Sequence, residues 1–243
     1  MTAKPAFTPE TRDAIFKQNL KDWGGAKGFY LARKWMRGSS FYLPKFHELR
    51  TIFLHIPKSA GTSLGEALFG TGRTGHFEWY FYEAEDKAAF DSYYKFCFVR
   101  EPLSRFLSAY NYLIEGGKDP YDAAMGQDIA KYGGINEFVE FGLKRDRWDR
   151  LRHFRPQHLF LCDRDLNPKV DFVGRFERFD EDCQVVARKL GVAFAPEKTN
   201  VTRRKSKASS DLSPKARAIL RDVYRGDYQA FGYAPPDLSL IHI

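Results

Sequence analysis

A short run of small polar residues carries the clearest chemical signal in the sequence. It reads Pro57-Lys58-Ser59-Ala60-Gly61-Thr62-Ser63 and stands between an apolar run, Thr51 to Ile56, and a helical pattern that starts at Leu64. Backbone N–H groups and the macrodipole at a helix start favour a bound phosphate or sulfate, and Lys58 adds a mobile positive charge. The run therefore predicts an anion-binding loop, although an ordinary strand-to-helix turn with a capped helix has a similar composition.

A second group of candidate phosphate ligands follows the next apolar run, Tyr94 to Val99. Arg100 comes directly after that run, and Ser108 lies two turns into the helical pattern that follows. The carboxyl end of a parallel strand is where ligands bind, and Arg100 could clamp a phosphate there while the Ser108 hydroxyl donates to the same group. Arg105 is interpreted instead as a partner of Glu101, four residues earlier on the helix.

Strands that alternate with helices must position these residues. A third apolar run, Val170 to Phe176, precedes a helical pattern at 179–190, and a closing helix is expected from Ser213 to Phe231. This alternation predicts an α/β fold with a central parallel sheet flanked by helices. Residues 1–49 are predicted to be a basic helical arm packed on the core, and residues 50–243 one α/β domain with a helical insert on the substrate side at about 115–160.

Composition limits the class of protein. The 243 residues carry 39 Lys plus Arg against 31 Asp plus Glu, a net charge of +8, and 43% are hydrophobic, so the chain can bury a core. Three scattered cysteines form neither a metal motif nor a disulfide framework, which favours a reducing compartment. We find no signal-peptide pattern and no apolar stretch of membrane-spanning length, so a cytoplasmic location is expected.

Two motifs together resemble the sulfotransferase superfamily, in the branch of carbohydrate enzymes of the heparan 2-O and chondroitin kind and their soluble bacterial relatives. Phe53 to Ser63 is similar to the family's 5′-phosphosulfate loop, and Val99 to Tyr110 to its 3′-phosphate motif. Asp171 to Glu177 and Asp227 to Tyr233 also resemble family segments, so the likeness runs from about residue 50 to 233. It implies a P-loop-like three-layer fold.

The resemblance implies that 3′-phosphoadenosine 5′-phosphosulfate (PAPS) is the sulfuryl donor, that 3′-phosphoadenosine 5′-phosphate (PAP) is the product and that no metal takes part. Lys58 would stabilise charge on the leaving phosphate, and Arg100 with Ser108 would hold the 3′-phosphate. Further residues would contact the 5′ end of the donor or reach the nucleotide from a basic loop. They are Ser59, Ala60, Gly61, Thr62 and Ser63 at the 5′ end, and Arg203, Arg204 and Lys205 in the basic loop.

A hydroxyl acceptor must lose a proton, so a general base is expected. His76 is favoured, because imidazole titrates near neutral pH and the polysaccharide branch often places its histidine between the two phosphate motifs. Glu78 and then Glu66 are the next candidates. His55 is interpreted as a hydrogen-bonded core residue. One of two further histidines could contact the acceptor: His153 or His158.

Two other functions are compatible with parts of the sequence. A P-loop kinase-like phosphotransferase would share the core, but its loop reads G-x-x-x-x-G-K-S/T, whereas Lys58 precedes Gly61. A basic module that binds polyanions or nucleic acid would explain the +8 charge. No RNA- or DNA-binding motif supports nucleic acid as a partner. We expect a glycan or another hydroxyl-bearing acceptor, with an anionic glycan favoured by basic segments at 144–155 and 203–207.

Overall fold

The computed structural model describes residues 40–143, 151–194, 196 and 212–236. Three sequence predictions lie wholly or partly outside these residues: the basic arm over residues 1–39, the basic segment over residues 144–150 and the basic loop Arg203 to Lys205. The described residues fall into two compact units. The first takes in 40–56, 60–99, 157–194 and 196, and the second takes in 57–59, 100–143, 151–156 and 212–236.

The secondary-structure elements alternate as the sequence predicts. The strands are β1 (Thr51–Leu54), β2 (Tyr94–Val99) and β3 (Phe172–Arg175). The α-helices, in chain order, are α1 (Pro44–Glu48), α2 (Gly61–Phe69), α3 (Trp79–Glu85), α4 (Lys87–Ser92), α5 (Pro102–Ile114), α6 (Pro120–Ala130), α7 (Ile135–Glu137), α8 (His158–Leu161), α9 (Phe179–Leu190), α10 (Pro214–Val223) and α11 (Arg225–Phe231). A π-helical turn, Phe138–Gly142, follows α7, and a 3-10 turn, Phe176–Arg178, precedes α9.

The first unit contains the parallel sheet, in the order β1-β2-β3. Phe96 of β2 pairs with Phe53 of β1 and with Phe172 of β3, and the Phe53 and Phe96 rings stack at 5.1 Å. The strands are nearly continuous apolar runs because both faces of a parallel sheet are covered. Gly174 lets β3 approach β2 closely, since a Cβ there would lie 2.8 Å from the Phe98 ring. The predicted α/β fold with a parallel sheet flanked by helices is confirmed.

The second unit contains α5, α6, α7, α10 and α11, and side chains cap the first turns of α5, α6 and α10. The Glu101 carboxylate accepts from two backbone N–H groups at the start of α5, and Asp119 caps α6 in the same way. Ser213 caps α10, as the sequence predicts. The Phe106, Phe138 and Phe154 rings meet in the core of this unit.

Candidate active site

The loop between β1 and α2 has an unusual backbone. Lys58 and Ala60 both adopt left-handed conformations, with φ of 67° and 65°. Residues other than glycine rarely adopt this backbone conformation, and they keep it only where the surrounding structure holds them in it. Ala60 occupies the N-cap position of α2 without a side-chain cap. The N-terminal N–H groups of this helix are therefore not satisfied by a cap side chain, as an anion-binding loop requires.

Glycine is required at the next position. A Cβ at Gly61 would lie 2.0 Å from Cδ2 of His55, so the helix start packs directly on that imidazole. His55 is 4% exposed, and its Nδ1 lies 2.7 Å from the Thr74 hydroxyl. Burial, together with the neighbouring His76, lowers the pKa of His55 well below its usual value. His55 is thus a neutral, hydrogen-bonded core residue, as the sequence analysis interpreted it.

Lys58 lies among charged side chains of both signs in the second unit. Arg100 donates from Nη1 to the Lys58 carbonyl over 3.5 Å, so the residues predicted for the two phosphate sites lie together. Burial lowers the pKa of Lys58 to about 8, and the positive charges of Arg100 and Lys118 act in the same direction. Asp122 and Glu115 oppose this shift. Lys58 is still mainly cationic at neutral pH, and an anion that bound beside it would relieve the repulsion.

Arg105 is the residue that the sequence interpretation placed wrongly. It is fully buried, and its guanidinium donates to the backbone carbonyls of Pro57, His153 and Arg155 over 3.4, 3.0 and 2.7 Å. Glu101 caps α5 instead of pairing with it. Arg105 therefore ties the residue before Lys58 to the segment at 153–155. The spacing contained a signal for this burial, because Arg105 shares a four-residue period with the buried Ala109 and Leu113.

The other predicted ligand residues differ in their exposure. Ser59 is 1% exposed and its hydroxyl has no hydrogen-bond partner among the described residues, so this side chain is not accessible to a ligand in this conformation. Thr62 is exposed, and Ser63 is half-buried, both in the first turn of α2. Ser108 is half-buried in the second turn of α5, the helix that Arg100 precedes.

His76 is oriented by a backbone hydrogen bond in the first unit. Its Nδ1 lies 2.9 Å from the carbonyl oxygen of His55, and the two rings meet edge to face at 4.2 Å. A carbonyl only accepts, so Nδ1 carries the proton and the neutral ring has its lone pair on Nε2. This tautomer is the one that a base acting through Nε2 requires.

The remaining base and acceptor candidates are buried or half-buried, with the exception of Glu66. Glu78 is 2% exposed at the N-cap of α3, and Glu66 is exposed on α2. His158 is 5% exposed in α8. His153 lies in the second unit with its Nε2 3.7 Å from an Asp122 oxygen, and burial lowers its pKa. Within the described ranges, no group of His, Cys, Asp and Glu is arranged to hold a metal ion.

A loop of this kind after β1, with Lys58 and Arg100 side by side, is typical of an enzyme that handles phosphate or sulfate esters. A family model described as "Sulfotransferase family" matches residues 46–234. The chain belongs to the sulfotransferase family. This membership favours an enzyme over a polyanion-binding module, and sulfuryl transfer over phosphoryl transfer.

Three curated relatives are similar over part of their length. Carbohydrate sulfotransferase 9 of Homo sapiens is 26% identical over 184 residues, which cover 61% of this chain and 39% of the relative. Carbohydrate sulfotransferase 14 of Homo sapiens is 30% identical over 171 residues, covering 60% and 44%, and its Danio rerio counterpart is 29% identical over 114 residues, covering 41% and 30%. The chain therefore spans less than half the length of these relatives. No solved structure matches the chain.

Proposed function

We propose that this sulfotransferase transfers the sulfuryl group of PAPS to a hydroxyl of a carbohydrate or another polar acceptor, without a metal ion. The observation that carries the proposal is the contact between Lys58 and Arg100, in which the Arg100 guanidinium donates to the Lys58 carbonyl over 3.5 Å inside the matched family region. Two neighbouring cations suit a donor that carries phosphate groups at two positions. PAPS supplies a sulfuryl group that is already activated by its bond to phosphate.

Each residue has a distinct role in the proposal. The Lys58 ammonium stabilises the negative charge that develops on the leaving phosphate, which is where a preorganised cation has its largest effect on rate. Arg100 and Ser108 bind the 3′-phosphate, Arg100 through its planar guanidinium and Ser108 through its hydroxyl. Backbone N–H groups at 60–63, with the Thr62 and Ser63 hydroxyls, bind the 5′ end.

The acceptor is proposed from chemistry and from the relatives. The relatives bear the name carbohydrate sulfotransferase, and the chain carries a net charge of +8, which would raise the local concentration of an acidic glycan. Among the described residues, no helix has both the length and the apolar character needed to cross a bilayer. The cytoplasmic location stays a prediction.

Donor binding is tested most directly by thermal unfolding with the product nucleotide. A ligand that binds only the folded state stabilises it, so PAP in 100-fold excess over its dissociation constant should add about 2.7 kcal/mol. We expect Tm to rise with PAP in the presence of a metal chelator, and adenosine 5′-phosphate, which lacks the 3′-phosphate, to have a much smaller effect. Incubation with radiolabelled PAPS and a panel of glycans then identifies the acceptor. No shift of Tm at millimolar PAP would contradict the proposed donor.

The proposed base is tested by replacing His76 with asparagine. The asparagine amide can still donate to the His55 carbonyl, but it cannot accept a proton, so His76→Asn separates structure from catalysis. We expect kcat to fall by about 10²–10⁴-fold with PAP binding retained. His47→Asn is the matched control, because His47 is exposed, and it should leave kcat unchanged. A His76→Asn enzyme with the wild-type rate would exclude His76 as the base.

A further inference from the structure

The Lys58 ammonium rests on an aromatic ring that neither phosphate motif explains. Its Nζ lies 3.7 Å from the centroid of the Tyr112 ring, well within the range of a cation–π interaction. Tyr112 is a half-buried residue near the end of α5, one turn beyond Ser108. The contact places an electron-rich face directly against the cation that the proposed reaction uses.

A hydrogen bond from its hydroxyl holds the Tyr112 ring in place. Its hydroxyl donates to Oδ2 of Asp122 over 2.5 Å, and Asp122 is 6% exposed in the first turn of α6. The other carboxylate oxygen faces Nε2 of His153 at 3.7 Å. Gly117, with φ of 62°, brings the preceding loop so close that a Cβ there would lie 2.2 Å from Cβ of Asp122. The carboxylate therefore has little freedom to move.

We propose that Tyr112 and Asp122 form a seat for Lys58: they hold its ammonium beside the loop and keep it positively charged for sulfuryl transfer. This inference rests on the role that the proposed function gives to Lys58. Tyr112 and Asp122 are positioning residues, because they act through Lys58 and not on the substrate. The seat lies wholly in the second unit.

The surrounding charges make Asp122 the dominant favourable influence. Arg100 at the start of α5 and Lys118 in the loop before α6 both disfavour a charged Lys58, and Glu115 and Asp122 both favour it. Glu115 is exposed, so solvent screens it, whereas Asp122 is buried. Burial lowers the pKa of His153, which favours its neutral form, although Asp122 acts in the opposite direction. Removing the Asp122 charge should therefore leave Lys58 with uncompensated repulsion.

The first test titrates Lys58 without donor or acceptor. The protein is treated with an amine-acylating reagent over a range of pH, and the labelling of Lys58 is followed by peptide mass spectrometry. We expect a midpoint at about pH 8 in the wild type and a midpoint about one pH unit lower in Asp122→Asn, because an opposite charge close to a titrating group shifts its pKa by about that amount or more. Tyr110→Phe, on the same helix, is the matched control and should titrate like the wild type. If the Lys58 labelling midpoint of the folded Asp122→Asn protein equals that of the wild type, the proposal is wrong.

The second test replaces the Tyr112 ring, so it does not require the Asp122→Asn variant to fold. Tyr112→Leu keeps an apolar side chain of comparable size but removes the aromatic face, so we expect kcat to fall about tenfold while KM for PAPS stays within about twofold. Tyr112→Phe keeps the aromatic face, so its kcat should fall by less than that of Tyr112→Leu. A Tyr112→Leu enzyme with wild-type kcat would overturn the proposal. If no sulfuryl transfer is found with any acceptor, the proposed function fails, yet the labelling titration still decides whether the seat exists.

Discussion

Lys58→Ala is expected to lower kcat by about 10²–10³-fold, the loss that usually follows removal of one preorganised group that stabilises developing charge. The measurement is turnover of radiolabelled PAPS with the best acceptor from the panel. Thermal stability should not fall, because burial disfavours the charged form of Lys58, which lowers its pKa to about 8, and the alanine removes a charge that is costly to bury. PAP should still stabilise the variant through Arg100.

A matched control separates the role of Lys58 from a general effect of charge. Lys131 is three-quarters exposed and pairs with Asp128 on the surface, so Lys131→Ala changes the net charge equally at a residue to which the proposal gives no ligand contact. We expect it to retain wild-type kcat and KM. Full activity in Lys58→Ala would remove Lys58 from the mechanism, whereas equal losses in both variants would indicate a long-range charge effect.

Arg105→Met is expected to destabilise the protein by about 3 kcal/mol or more. The guanidinium donates to the Pro57, His153 and Arg155 carbonyls, and methionine removes all three of these hydrogen bonds. Each buried group that loses its partner costs about 1–3 kcal/mol. The measurement is the free energy of unfolding from urea titration, with activity measured at a temperature where the variant is folded.

Arg221→Met is the control for Arg105, because Arg221 lies on α10 with its side chain exposed. Its effect on the free energy of unfolding should stay within about 0.5 kcal/mol. Arg105→Lys should be intermediate, since one ammonium cannot reproduce the planar fork of donors. An Arg105→Met protein as stable as the wild type would show that the buried carbonyls find other donors.

Local patterns predicted those features whose causes are local. The three apolar runs become strands because branched and aromatic residues fit a sheet buried on both faces, and Ser213 followed by Pro214 marks the start of α10. The positions of Lys58 and Arg100 just after predicted strands were also read from local signals, but the hydrogen bond from Arg100 to the Lys58 carbonyl was not predicted.

Features that depend on distant partners were not predictable in the same way. Arg105 binds carbonyls about 50 residues away on either side, so the nearby Glu101 misled an interpretation based on helical spacing. The contact of Tyr112 with Asp122 depends on how α5 and α6 are joined, and the positive φ at Gly117 that permits it is a property of the turn. Nothing in the loop composition predicted that the Ser59 hydroxyl would be buried, which depends on the surrounding packing.

The parallel sheet also has a consequence for how the chain folds. Thr51 bonds to Tyr94, 43 residues later, and the Lys95 N–H bonds to the carboxylate of Asp171, 76 residues further on. Contacts between residues so distant along the chain close large loops before they gain any stabilising interaction, and they slow folding. On the ribosome, β2 can pair with β1 early, but its other edge stays open until β3 has been synthesised. Until then, the unpaired backbone groups of that edge are open to pairing with other chains, which is a route to aggregation.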